Sequence, residues 1–281
     1  MTIFIKCLES YKIVVVIVLL SLVGASYAKE ETIVQFISSE TPPFWSETLE
    51  TDGMCGEILH EISNHIGVKS VIEYEPTTRI VERVGHNLLG NPGLFLSSHD
   101  FSSIIPIAVF RLALFYYEPH HNEGITFNRL EDLKGYTIGI IKGSLSNADI
   151  AYFRESGVEF EESYSKESLF KKMMLGRIDL CIEIELSGLL ILNRLFPDKA
   201  DEFTRIELQR SITPITIMID DSYPDGQRLG ENITKGLEMI INNGKYQEIL
   251  EKYYGKGNIP ADWFSLLEQY RQMYGLSAKI H

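Results

Sequence analysis

The chain has 281 residues, of which 44% are hydrophobic and 23% charged, and it carries a net charge of −13. Charge interspersed with that much apolar material excludes a disordered chain, and the acidic surplus excludes nucleic acid and anionic membrane as partners, because both would repel it. A chain of this length buries a large core and commonly divides into two lobes.

In chain order, Lys6 and Lys12 precede an apolar run, IVVVIVLL, and small residues follow at Ser26 and Ala28. Residues 1–28 therefore read as a cleaved secretory signal. The run from Ile13 to Val23 is short for a membrane span of ~20 residues, and no second long apolar run follows. Cys7 lies ahead of the apolar run and would be lost on cleavage. Cys55 and Cys181 remain, each flanked by apolar residues, and read as buried free thiols rather than a disulfide framework.

Segments with strand and helix periodicity then alternate. TIVQFIS (32–38) predicts a buried strand, and GMCGEILHEISNHIG sets Met54, Ile58, Ile62 and Ile66 on one helix face. SVIEYE predicts a strand. TTRIVERVGHNLL predicts a helix capped by Thr77, and GLFLSS and AVFRLALFYY predict strands. After the polar loop PHHNEG a second series begins: strand YTIGII, helix SNADIAYFRES, strand VEFEE, helix SKESLFKKMMLG, strand RIDLCIEI, helix LSGLLILNRLF. A buried strand, TPITIMID, is followed by helices at GQRLGENITKGLEMIINNG and YQEILEKYYG and by an amphipathic helix over 261–274. This is an α/β pattern.

Several strings in this order, TPPFW, GMCGEILHEI, LEDLKGYTIGIIKGS, LGRIDL and NNGKYQEILEKYYG, span residues 41 to 255. On them the chain resembles the extracellular solute-binding proteins of family 3, periplasmic components best known from polar amino-acid uptake. The resemblance implies an α/β, two-lobe periplasmic binding protein type II fold with two crossing strands, VFRLA (109–113) and PITIM (214–218). Lobe one would comprise 29–110 and 217–281, and lobe two 111–216. It further implies a periplasmic monomer that captures a small polar, carboxylate-bearing ligand by lobe closure. Uptake would run through an ABC-type membrane permease, with no cofactor, no metal and no catalytic residue.

The corner Lys142-Gly143-Ser144 runs a strand into a helix start. It lacks the glycine spacing of a phosphate loop and the G-x-S-x-G of a nucleophile elbow. What remains is a helix terminus that favours an anion, with Lys142 adding charge. In the resembled family this corner grips the ligand carboxylate. Phe44 and Trp45, beside a double proline, would form a stiff wall suited to a ring or a cation, or simply pack in the core.

The chain departs from the family pattern in two places. Amino-acid binders carry a Thr followed by an Arg that clamps the carboxylate as a bidentate pair. Here Ser97 and Ser98 stand for the Thr, His99 or Asp100 falls where the clamp would begin, and the stretch up to Pro106 has no Arg. Arg79 and Arg111 are the cations nearest the expected cleft. The family's ammonium-binding Asp is replaced by Ile184, flanked by Glu183 and Glu185. Strand alternation puts both carboxylates on one face, either toward the cleft or toward solvent.

His60 and His65 are one residue too far apart for H-E-x-x-H, and His120, His121 and Glu123 make only a weak metal pattern. Two rival functions fit the same chain. One is a dehydratase-like enzyme acting on cyclic amino-acid precursors, with Glu183, Glu185 or His99 as general acid. The other is a sensor or partner-binding module that docks through the terminal helix.

Overall fold

A computed structural model of the chain describes residues 32–142, 151 and 154–277. The predicted signal at 1–28, most of the predicted helix at 146–156, and Gly143 and Ser144 lie outside the described residues. The strands are β1 (Thr32–Ser38), β2 (Val68–Tyr74), β3 (Leu88–Gly90), β4 (Phe101–Tyr117), β5 (Thr137–Ile141), β6 (Glu159–Ser163), β7 (Leu180–Ile184) and β8 (Phe203–Asp220). The helices are α1 (Gly53–Ile66), α2 (Thr77–Ile80), α3 (Lys166–Met174), α4 (Glu185–Leu195), α5 (Gly226–Asn242), α6 (Lys245–Tyr254) and α7 (Trp263–Ser277).

The strands form an eight-stranded sheet in the order β2-β1-β3-β8-β4-β7-β5-β6. Its spine is the antiparallel pair β4 and β8, of 17 and 18 residues. At ~3.3 Å per residue such strands reach ~55 Å, long enough to serve both halves of the molecule. One end of β8 pairs with β3, which lies beside parallel β1 and β2. The far end of β4 pairs with β7, which lies beside parallel β5 and β6. Between these ends the β4–β8 register shifts at Pro106/Ala108 and at Arg111/Ala113.

Alternation along β4 explains why ALFYY has no polar positions. Ala113, Phe115 and Tyr117 enter a core with Leu169, Phe170 and Met173 of α3. Leu114 and Tyr116 enter another on the opposite face with Ile138, Ile140 and Leu180. A strand covered on both faces needs an apolar residue at every step. The larger core gathers α1, α5, α6 and α7 around Phe36, Ile107 and Ile217. Cys55 and Cys181 are free and buried in separate cores.

Three sequence expectations need correction. The helix predicted over 77–89 stops after one turn at Ile80, with Pro76 rather than Thr77 as its cap residue. Gly85 sits at φ +86 and Val84 is 69% exposed, so the apolar spacing there belongs to no buried face. GLFLSS is a short 3-10 turn, Pro92–Leu94, followed by turns, and Leu94 and Leu96 are about half exposed. Both crossing strands start earlier than predicted, at Phe101 and Phe203. Their first residues mix polar and apolar side chains without a clear period and acquire strand character by pairing, the start of each strand with the end of the other.

Candidate functional site

Strands β1, β3, β5 and β7 end around a cavity of about 500 Å³. Open α/β sheets offer ligands this position, outside the carboxyl ends of their strands. From the β1 side come Thr41, Phe44 and Trp45, held by a tight loop in which the Thr41 N–H donates to the Trp45 carbonyl (2.8 Å) and the Trp45 N–H to the Thr41 carbonyl (3.1 Å). Thr77 opens α2, Asn91 follows β3, and Phe110 and Thr213 line the crossing strands. From the opposite side come Lys166 at the start of α3 and Ile182, Glu183 and Ile184 at the end of β7.

The only ion pair among the described lining residues joins Lys166 Nζ to Glu183 Oε1 at 2.8 Å. Glu183 is 5% exposed, and the same Oε1 also accepts the Ile184 N–H at 2.8 Å. Both bonds fall on one oxygen and leave Oε2 open to a further donor. Lys166 is the first residue of α3, after the capping Ser165, whose Oγ accepts the Ser168 N–H. A cation at a helix N-terminus opposes the helix dipole. Its placement there is explained by the buried carboxylate it faces, not by helix stability. The adjoining Glu167 follows the ordinary rule: N–H donation in this first turn and the Ser165 hydroxyl hold its carboxyl below the usual range.

Of the sequence-predicted residues, the structure brings Phe44, Trp45 and Glu183 to this cavity. Both aromatic rings are also core residues, 1% and 2% exposed, so wall and core are one thing here. Phe44 leans on Phe110 at 6.5 Å between ring centres. Lys142 sits just past Ile141, which lines the cavity, but its ammonium bonds the Tyr164 hydroxyl at 2.9 Å.

The other described residues among the predictions do not line this cavity, and their side chains lie elsewhere. His99 is buried between Phe95 and the stacked ring of Phe101, and both its nitrogens are used, with the Ser98 hydroxyl and the Arg83 carbonyl. It pins a turn. Ser97 and Ser98 are exposed on that turn, and Arg79 is exposed on α2. Arg111 is buried and paired with Asp262, which ties the crossing strand to the approach of α7. Glu185 does not share a face with Glu183. The strand ends at Ile184, alternation ends with it, and Glu185 begins α4 on another cavity with Arg205.

Sequence reading missed Lys166, Asn91 and Thr213 and took Thr77 for a helix cap. Lys166 carried a usable signal, since a Lys directly after a capping Ser is out of place in a helix. The others are ordinary polar residues that only the topology gathers.

No protein-family model and no curated protein matches the sequence. Solved structures do match. An ancestral arginine-binding protein bound to arginine is 20% identical, with a TM-score of 0.58, covering 80% of this chain and 99% of its own. The substrate-binding protein of an amino acid ABC transporter is 15% identical, with a TM-score of 0.55, covering 80% and 100%. An ancestral amino acid-binding protein described as a precursor of cyclohexadienyl dehydratase is 13% identical, with a TM-score of 0.56, covering 79% and 94%. The chain has the two-lobe periplasmic-binding-protein fold. The cavity between β1 and β7 lies beside the crossing strands β4 and β8. No helix among the described residues is long and apolar enough to cross a membrane.

Proposed function

We propose that this chain is a periplasmic solute-binding protein of family 3 that performs no chemistry. It captures a small, amino-acid-like zwitterion by closing lobe one (29–110 and 217–281) on lobe two (111–216), and hands it to an ABC-type permease. The observation that carries this reading is the Lys166–Glu183 pair facing Phe44 and Trp45 across a 500 Å³ cavity. Only one of the three donors of the Lys166 ammonium is taken up by Glu183, so a ligand carboxylate has a cation to meet. The free Oε2 of Glu183 accepts the ligand ammonium. The corner Gly143-Ser144, the anion grip that family resemblance implies, is kept as a second contact for the carboxylate.

Micromolar affinity needs ~8 kcal/mol. Charge-assisted hydrogen bonds contribute ~1.5–3 kcal/mol each. Burial of a side chain against Phe44, Trp45, Phe110 and Ile184 adds ~1.5–3 kcal/mol. The apolar wall is therefore needed, and it favours ligands with an apolar or ring-bearing side chain over short polar ones.

The test is calorimetry and thermal shift against amino acids and cyclic precursors. A tight ligand at a hundred times its Kd adds ~2.7 kcal/mol of stability. Lys166→Ala and Glu183→Gln should each weaken its binding by about tenfold or more, the equivalent of ~1.4 kcal/mol. Unchanged affinity in both variants would place the ligand elsewhere, and turnover of a bound compound would replace binding with catalysis.

A further inference from the structure

A second cavity of about 440 Å³ lies on another side of the β7–α4 corner. Its walls come from parts of the chain far apart in sequence: Glu185, Leu190 and Asn193 on α4, Arg205 on β8, and Tyr254 and Asn258 at and after the end of α6. Glu185 is 4% exposed. Its Oε1 is held by the Arg205 Nε–H at 2.6 Å, while its Oε2 is buried with no hydrogen-bond partner. A buried carboxylate oxygen left unpaired is unfavourable, more so than a neutral acceptor. One guanidinium N–H satisfies one oxygen and leaves the other.

An ionised carboxylate only accepts hydrogen bonds, so whatever completes this site brings a donor. The surroundings narrow the donor further. The tyrosine and leucine side chains of the lining favour a ligand with an apolar body, and a buried carboxylate oxygen favours a charged donor over a neutral one. The chain's net charge of −13 acts in the same direction. We infer that this cavity is a second ligand site, separate from the one between β1 and β7, and that it takes a small organic ammonium. Its amine points at Glu185 Oε2 and its carbon skeleton lies against Tyr254 and Leu190. An occupant there bridges α4 and the segment after α6.

Benzylamine, with benzyl alcohol as its uncharged counterpart, tests this by calorimetry on the full chain at physiological salt. Benzylamine should bind saturably and at least tenfold more tightly than the alcohol. Glu185→Gln should lose at least tenfold of that affinity. Because changing a buried ion-pair partner can compromise folding, Leu190→Arg serves as the second variant: Leu190 is 40% exposed, and a cation at that wall should abolish amine binding in a folded protein. Glu231→Gln, an exposed carboxylate on α5 outside both cavities, should change amine affinity less than twofold. Equal binding of amine and alcohol, undiminished binding in Leu190→Arg, or loss in Glu231→Gln would each overturn the assignment.

Discussion

Glu183 and Glu185 are near neighbours in sequence, yet each is buried with a different cation, Lys166 for one and Arg205 for the other. Removing Lys166 strands a buried carboxylate, whereas neutralising Glu183 leaves an ammonium that is partly exposed and that water can reach. Lys166→Met should therefore destabilise the protein by ~1–3 kcal/mol, measurably more than Glu183→Gln, in urea denaturation. An equal cost would mean that Glu183 draws its support from the Ile184 N–H alone. Protonation states make a second residue-scale prediction. Burial pushes the thiols of Cys55 and Cys181 up, and burial likewise raises the hydroxyls of Tyr246 and Tyr254. Groups raised in the folded state favour folding below their unfolded pKa and lose that contribution as pH climbs past it. The melting temperature should begin to fall above pH ~8.5 as unfolded thiols ionise, and fall more steeply above pH ~10 as unfolded tyrosines do. Cys55→Ala combined with Cys181→Ala should remove the first fall and leave the second.

At the scale of elements, α4 does more than cover β7. Leu186 enters the core built around α1 and α5, and the Ser187 hydroxyl donates to the Pro42 carbonyl at 2.7 Å, beside the loop that carries Phe44 and Trp45. At the next residue, an added Cβ at Gly188 would meet the Phe115 ring at 2.4 Å. Gly188→Ala should force α4 off β4 and cost ~1–3 kcal/mol, the usual range for overpacking, seen as a lowered denaturation midpoint with an unchanged m-value. A midpoint equal to wild type would show that Phe115 has room to move. Element periods were legible in sequence where a face is buried: β1 and α1 lie where their apolar spacing put them. They were misread where apolar residues stay exposed, as at Val84, Leu94 and Leu96, because periodicity reports a buried face only if a partner covers it.

For the whole molecule, the proposed function makes closure of the lobes the quantity that binding must shift. A ligand that moves an open form to a closed one should lower the radius of gyration in small-angle scattering, and an unchanged radius at saturation would contradict capture by closure. The Ser187–Pro42 bond joins α4 to the β1 side and belongs, on this reading, to the closed form. Ser187→Ala removes ~1 kcal/mol from that form and should weaken ligand binding about fivefold without touching the ligand. Equal affinity in calorimetry would mean that the bond persists in both forms.

By itself the sequence determined the alternation of strands and helices, the acidic surface, the burial of Cys55 and Cys181, and the likeness that anticipated the fold. Those properties depend on local period and composition, which a single chain displays. Tertiary structure decided which polar groups meet. Lys166 and Glu183 come together because α3 starts beside the end of β7, His99 is lost to a turn between two aromatic rings, and Arg111 is drawn to Asp262. Glu183 and Glu185 separate because a strand ends between them, and alternation holds only while the chain stays in the sheet.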